Sequence, residues 1–341
     1  MVHRIGAVSA LLVAASAAAI AHAEDDAVTL YGRVHLELES VEAHGNGKAE
    51  VPRRTRVTDQ ASLLGVRGTE NLGRDLRAFF QLETGFDPQG PGGSFAQRNS
   101  AVGLRGSWGS FLVGRWDSPY KSATIAVDQF GDVTIAGIKS ANQDRGNFDN
   151  RLENVVQYWS PTFAGFTFRG AVTSNEGKTA TLDPHVAAGS ITWRHGAYYA
   201  FYTREEHHDL SASSPRETGD AVGGKMRLGA FEFGGTWQQY RETNVDDRKS
   251  YLLFLDYHLG SGKLIYQHQH MKGGGSPTAA EAQCNVDTGA YQYTFSRRTW
   301  VRLLYTRIDN NATGDCRFGA GGLGTTGQDS SGWSLGMQHV F

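Results

Sequence analysis

The 341 residues carry 33 Lys and Arg against 35 Asp and Glu, a formal charge of −2 without the basic excess of a nucleic-acid binder. Mean hydropathy is −0.41, and past the first 23 residues no apolar run approaches the ~20 residues of a membrane helix, which excludes a helical membrane protein. Glycine is abundant (43) and proline scarce (8), which suits strands bending around a closed sheet and turns at positive φ.

The chain opens with His3 and Arg4, an apolar stretch over 5–20, and Ala21-His22-Ala23. This is the layout of a secretory signal peptide with a small-x-small cleavage site. An N-terminal membrane helix is the alternative, but the stretch is Ala-rich and the acidic Glu24-Asp25-Asp26 follows at once. We expect residues 1–23 to be removed and 24–341 to form one domain, since no linker or change of pattern interrupts it.

From residue 27 onward, period-2 alternation and turn signals predict about sixteen strands. Their spans are 27–40, 61–68, 74–84, 97–106, 109–116, 151–160, 164–174, 186–195, 197–206, 218–228, 230–240, 249–259, 262–271, 286–296, 299–308 and 331–341. In the first, Val28, Leu30, Val34, Leu36 and Leu38 share one face, while Tyr31, Arg33, His35, Glu37 and Glu39 share the other. A soluble sandwich would also alternate, but an Arg, a His and two Glu on one face need water, and a lumen supplies it. The third strand repeats the pattern; others, such as 251–258, are ambiguous in parity.

The connections alternate in length. Tight turns at 69–73, 106–109, 195–196, 259–262 and 296–298 contrast with long polar segments at 41–60, 117–150, 271–286 and 309–331. An outer-membrane barrel has that asymmetry, with short periplasmic turns and long external loops. Such strands must close on themselves, because an open edge in lipid leaves backbone groups unpaired. Aromatics near strand ends, among them Tyr31, Trp108, Trp116, Trp159, Tyr199, Trp237, Tyr240, Trp300 and Trp333, fit an interfacial girdle, with ordinary packing as the alternative for any one. Cys284 and Cys316 each lie in one of the last two long loops, and neighbouring strands would bring those loops close, so a disulfide is expected; two separate thiols are the alternative.

Segments 27–32, 62–73, 76–86, 98–106, 109–115 and 158–166, and the closing strand ending on Phe341, together resemble the general porins of Gram-negative bacteria, in particular the beta-proteobacterial and neisserial type. The resemblance implies a 16-stranded antiparallel transmembrane β-barrel in the outer membrane, a homotrimer, whose third long loop folds into the barrel. It further implies that a terminal Phe, here Phe341, is read by the barrel insertion machinery. The family's arginine bank on the early strands maps onto Arg33, Arg67, Arg77, Arg98 and Arg115, with the loop 117–150 carboxylates Asp117, Asp128 and Asp132 opposite. Fixed cations facing carboxylates would set a transverse field and sort ions by sign. The alternatives are salt bridges within the wall and an ordinary external loop. Leu63 stands where the family usually has Arg, and Asp128-Gln129-Phe130-Gly131-Asp132 only approximates the family's loop motif, which puts selectivity rather than fold in question.

The reading is therefore a diffusion channel for small hydrophilic solutes and ions with a weak anion preference, with a substrate-specific channel as the alternative. Its expected partners are outer-membrane lipid, further copies of itself and the insertion machinery; we expect no nucleic acid, cofactor or metal. Glu205-Glu206-His207-His208-Asp209 resembles a metal motif, but strand neighbours point to opposite faces, and solvated charge at the start of a long loop is the better reading. His268 and His270 share a face without a carboxylate at suitable spacing. No Ser, His and acid motif marks a hydrolase, and an adhesin or structural anchor is a further alternative.

Overall fold

The computed structural model describes residues 28–341 apart from 46, 89–94, 132–133, 143–147, 212–213, 244, 275–280 and 320–321. The expected signal peptide and Asp132 lie outside the described residues. The strands are β1 (Val28–His44), β2 (Val51–Asp59), β3 (Leu63–Gly73), β4 (Leu76–Gly85), β5 (Ser100–Gly106), β6 (Gly109–Asp117), β7 (Arg151–Trp159), β8 (Phe166–Thr173) and β9 (His185–His195), followed by β10 (Tyr198–Ser211), β11 (Ser214–Leu228), β12 (Phe231–Glu242), β13 (Val245–Leu259), β14 (Gly262–Lys272), β15 (Gln283–Ser296), β16 (Thr299–Asn310) and β17 (Asp329–Val340).

From β3 onward each strand pairs antiparallel with its sequence neighbour, and β1 pairs with β17 from Arg33↔Val340 to His44↔Asp329, closing the barrel. On its other side β1 pairs with β3 over Val28–Arg33 and with β2 over Leu36–Ala43. β2 and β3 therefore share one place in the wall, interrupted at Gln60–Ser62, and seventeen segments fill sixteen positions. The expected loop at 41–60 is corrected here. Its residues extend β1 by four positions and form β2, which is exposed along much of its length. No helix of the described residues is long and apolar enough to cross a membrane.

Alternation sorts the two faces. On β13, Tyr251, Leu253, Leu255 and Tyr257 are exposed, while Arg248, Ser250, Leu252, Phe254 and Asp256 between them are buried. An apolar outer face with polar residues inside inverts a soluble sandwich and is the arrangement lipid requires. Cross-strand registry gathers the outer aromatics into two belts. Trp237↔Tyr251 belongs to the belt nearer the long connections, and Phe231↔Tyr257, with rings 4.8 Å apart, to the one at the short turns. Tyr31, Trp159, Tyr199, Tyr240 and Trp300, expected in a girdle, instead stand on the inner face. There they meet arginines or the long segment after β6.

The short turns use the residues the geometry demands. Gly229 and Gly260 sit at φ of 60°, where a Cβ would be strained. At the closure, Gly32 and Phe341 exchange backbone hydrogen bonds of 3.1 and 3.0 Å, and the Phe341 ring lies where a Cβ on Gly32 would be.

The segment between β6 and β7 carries α1 (Pro119–Thr124), a 3-10 turn (Ile125–Val127) and α2 (Lys139–Asn142). Ser118 caps α1 by accepting the Lys121 N–H, and Pro119 occupies the position where no N–H is needed. Tyr120, Val127 and Phe148 bury themselves with Phe201, Tyr240, Leu252 and Phe254, all residues of inner-face parity. Phe130, Ile135 and Ala141 form a second core with Ile265, Leu304 and Ile308, joined by Phe318 and Leu323 from the last long connection.

Candidate channel lining

The contacts of the 118–150 segment define where it sits. Gln267 on β14 accepts the Gln129 N–H at 3.0 Å and donates to Asp128 at 3.2 Å, and Gln269 donates to the Ala136 carbonyl at 3.0 Å. Arg302 on β16 donates to the Gln129 carbonyl, lies 5.0 Å from the Phe130 ring centroid and pairs with Glu37 at 3.2 Å. The Asp128 carboxylate also accepts the Phe130 and Ile138 N–H groups, which makes it an organiser of this segment. Asp117 at the segment's start pairs with Arg151 at 2.9 Å.

The five arginines named from sequence have different surroundings. Arg67 on β3 is exposed and lies over the Tyr31 ring at 5.1 Å, and Arg77 on β4 stands directly opposite Arg105 on β5. Arg33 donates to the Ala61 carbonyl at 3.0 Å, and Arg98 pairs with Glu83 at 2.6 Å. Arg115 pairs with Glu153 across an irregular stretch where the β6–β7 register shifts beyond Gly114. That bulge interrupts strict alternation around Arg115, which family likeness placed in the bank.

Sequence reasoning did not pick out Arg105, Arg169 and Arg194. Their guanidinium carbons lie 5.0, 4.8 and 4.8 Å from the ring centroids of Phe79, Trp159 and Tyr199. With Arg67 they form a cation–aromatic series on the inner face from β1 to β10, near the short turns. Among the described residues none of these four arginines has a carboxylate partner. The inner-wall carboxylates contrast with them. Glu37, Glu39, Glu83, Asp117 and Asp256 each have a cation within 3.2 Å, supplied by Arg302, Arg56, Arg98, Arg151 and Lys263.

Two expectations about histidines are corrected. Residues 205–209 lie within β10 rather than in a loop, and Glu205 and His207 are buried instead of solvated. His207 lies 2.9 Å from Glu205 and 3.4 Å from Glu217, covered by Phe148 stacked at 4.2 Å. His268 does have a carboxylate in reach, because the register sets Asp287 directly opposite it, at 2.9 Å.

A disulfide joins Cys284 and Cys316, with Cα atoms 6.1 Å apart. Cys284 is the second residue of β15 rather than part of a loop, and both sulfurs belong to the core shared with α2. The last connection is thereby held over the 118–150 segment, where the Arg317 and Gly319 N–H groups donate to Ser140.

The family model for Gram-negative porins matches residues 7–313. The major outer membrane protein P.IB of Neisseria gonorrhoeae is 31% identical over 159 residues, 46% of this chain and 45% of that protein, so the chain spans about half the length of that relative. The outer membrane porin protein 32 of Delftia acidovorans is 29% identical, with 97% of each chain covered. Among solved structures, the anion-selective porin from Comamonas acidovorans superimposes with a TM-score of 0.79 at 22% identity, over 93% of this chain and all of that one. The trimer form of OmpT from Vibrio cholerae gives 0.72 at 14% identity, over 93% and 99%.

Proposed function

The chain belongs to the Gram-negative porin family, and from that premise we propose that it forms a water-filled outer-membrane channel for passive diffusion of small hydrophilic solutes and ions, with a weak preference for anions. A sixteen-position barrel is wide enough for an aqueous path, and selectivity then rests on what narrows and charges it. The 118–150 segment narrows it, with contacts on strands from β8 to β16, and the cation–aromatic series stands on the inner wall near the short turns.

The observation that carries the anion preference is the imbalance of partners on that wall. Arg67, Arg105, Arg169 and Arg194 lack carboxylates among the described residues, whereas the inner-wall acids named above are each held by a cation. A fixed positive field in a low-dielectric cleft concentrates anions. Glu205 and Glu217 sit beneath Phe148, away from the path. The net charge of −2 argues little against this, since exposed charges on outer loops are screened over ~8–10 Å. In the assembled form we expect a homotrimer, as in the trimer form of OmpT. Phe341 is the assembly signal, read by the insertion machinery.

The test is planar-bilayer conductance of the purified protein in a KCl gradient. Stepwise conductance with closures in threes and a reversal potential favouring chloride is expected. A potential favouring potassium refutes the anion preference, and absence of conductance refutes the channel.

A further inference from the structure

Between β3 and β7, near the short turns, the inner wall encloses a cavity of about 340 Å3 lined by Arg67, Phe79, Gln81, Arg105, Trp116 and Trp159. Two features set it apart from a merely basic surface. First, Arg67 and Arg105 each lie against an aromatic ring, Tyr31 and Phe79, and Arg105 is further held by donating to the Ser110 hydroxyl at 3.1 Å. A guanidinium stacked on a ring keeps its in-plane N–H groups, and those match a carboxylate in bidentate fashion. Second, Phe79, Trp116 and Trp159 give the cavity aromatic walls beside the polar Thr29, Thr69 and Gln81, with Trp116 and Trp159 at a centroid distance of 5.5 Å and an angle of 60°. A hydrated inorganic anion gains nothing from indole and phenyl walls, whereas a planar ring gains contact area and favourable edge or face geometry. The volume lies at the small end of the range for small-molecule sites, about 300–1,000 Å3.

We propose that this cavity binds small aromatic carboxylates, the carboxylate held by Arg67 and Arg105 and the ring by Trp116 and Trp159. The proposal rests on the channel reading and gives it a preferred solute class. A second cavity of about 390 Å3 is lined by Arg169, Arg194, Tyr199 and polar residues of β8 and β9, with Ser122 and Ala126 of the 118–150 segment. It repeats the pairing of arginine with an aromatic ring and offers the anion a next station along the same wall.

The experiment uses the intact protein in planar bilayers bathed in KCl, with benzoate, cyclohexanecarboxylate and acetate as probes. Benzoate is expected to reduce the chloride current with saturation, cyclohexanecarboxylate to do so at severalfold higher concentration, and acetate not to do so over the same range. In a channel carrying Arg67→Gln and Arg105→Gln, half-blocking benzoate should rise tenfold or more. Trp159→Leu should abolish the preference for benzoate over cyclohexanecarboxylate. Equal effects of benzoate and acetate on the wild-type channel overturn the proposal. So does equal potency of benzoate and cyclohexanecarboxylate, a result that needs no variant to fold. Unchanged benzoate block in a conducting double variant overturns it as well. Loss of KCl conductance in the wild-type protein would instead defeat the channel reading.

Discussion

Removing the Cys284–Cys316 disulfide should cost measurable stability and loosen the mouth of the barrel. The bond spans 32 residues of sequence, so in the chain-entropy model its loss frees about 12 cal/mol/K in the unfolded state, or about 3.7 kcal/mol at 25 °C. Both sulfurs are buried, and Cys316 sits against the Ala141 carbonyl of α2, so the cost falls where the last connection meets the 118–150 segment. Alanine at both positions is the cleaner perturbation, since it leaves no buried hydroxyl without a partner. Unfolding in guanidinium chloride from detergent or lipid, at an m-value of about 4 kcal/mol/M, should shift its midpoint down by about 0.9 M. Wild-type protein treated with a reductant strong enough to open the bond should follow the variant. Single-channel current should become noisier, because Phe318 and Leu323 lose the tether that presses them onto Ile135 and Leu304. Coincident midpoints for oxidised and cysteine-free protein, together with identical current noise, would refute the reasoning.

Three further outcomes are expected. Arg302→Ala strands the buried Glu37 and releases the Gln129 carbonyl and the Phe130 ring. Breaking such a pair costs about 3–5 kcal/mol, and thermal unfolding together with a rise in conductance checks it. Phe148→Ala removes the cover from Glu205, His207 and Glu217 at a packing cost of about 3–5 kcal/mol, and the chloride preference in a KCl gradient should fall as the two carboxylates meet the lumen. Gly32→Val sets a side chain 2.5 Å from the Phe341 ring and 2.6 Å from the Leu63 carbonyl, and the refolded yield of heat-modifiable barrel in detergent should drop severalfold.

The sixteen wall positions could be read from the sequence because lipid outside and water inside impose the same two-residue rhythm on nearly every strand. The rhythm failed where those two solvents do not apply. β2 carries Arg53, Arg54, Arg56 and Thr58 and is exposed along much of its length, so no apolar stripe announces it. Residues 251–258 were ambiguous because Leu252 and Phe254 face inward yet lie under the 118–150 segment, and both faces are therefore oily. The same cover explains residues 205–209, whose charges pair with one another beneath Phe148, where sequence spacing suggests solvent. Arg105, Arg169 and Arg194 carried a usable signal, since each shares the parity of small or polar inward residues on its own strand. Family likeness points only to the early strands, and Arg169 on β8 and Arg194 on β9 lie beyond them. Arg115 came from family likeness alone, and the bulge at Gly114 gives it surroundings that no periodic pattern foretells.

The joining of β1 to β17 bears on how the molecule comes into being. Twelve rungs link residues 33–44 to residues 329–340, so the cylinder has no finished seam until β17 has been delivered. A ribosome stall or a nonsense codon late in the message would leave two raw edges, each a row of bare amides and carbonyls that hydrocarbon cannot solvate. Insertion must therefore wait for β17, and quality control can be exercised at a single place, the zipper between β1 and β17.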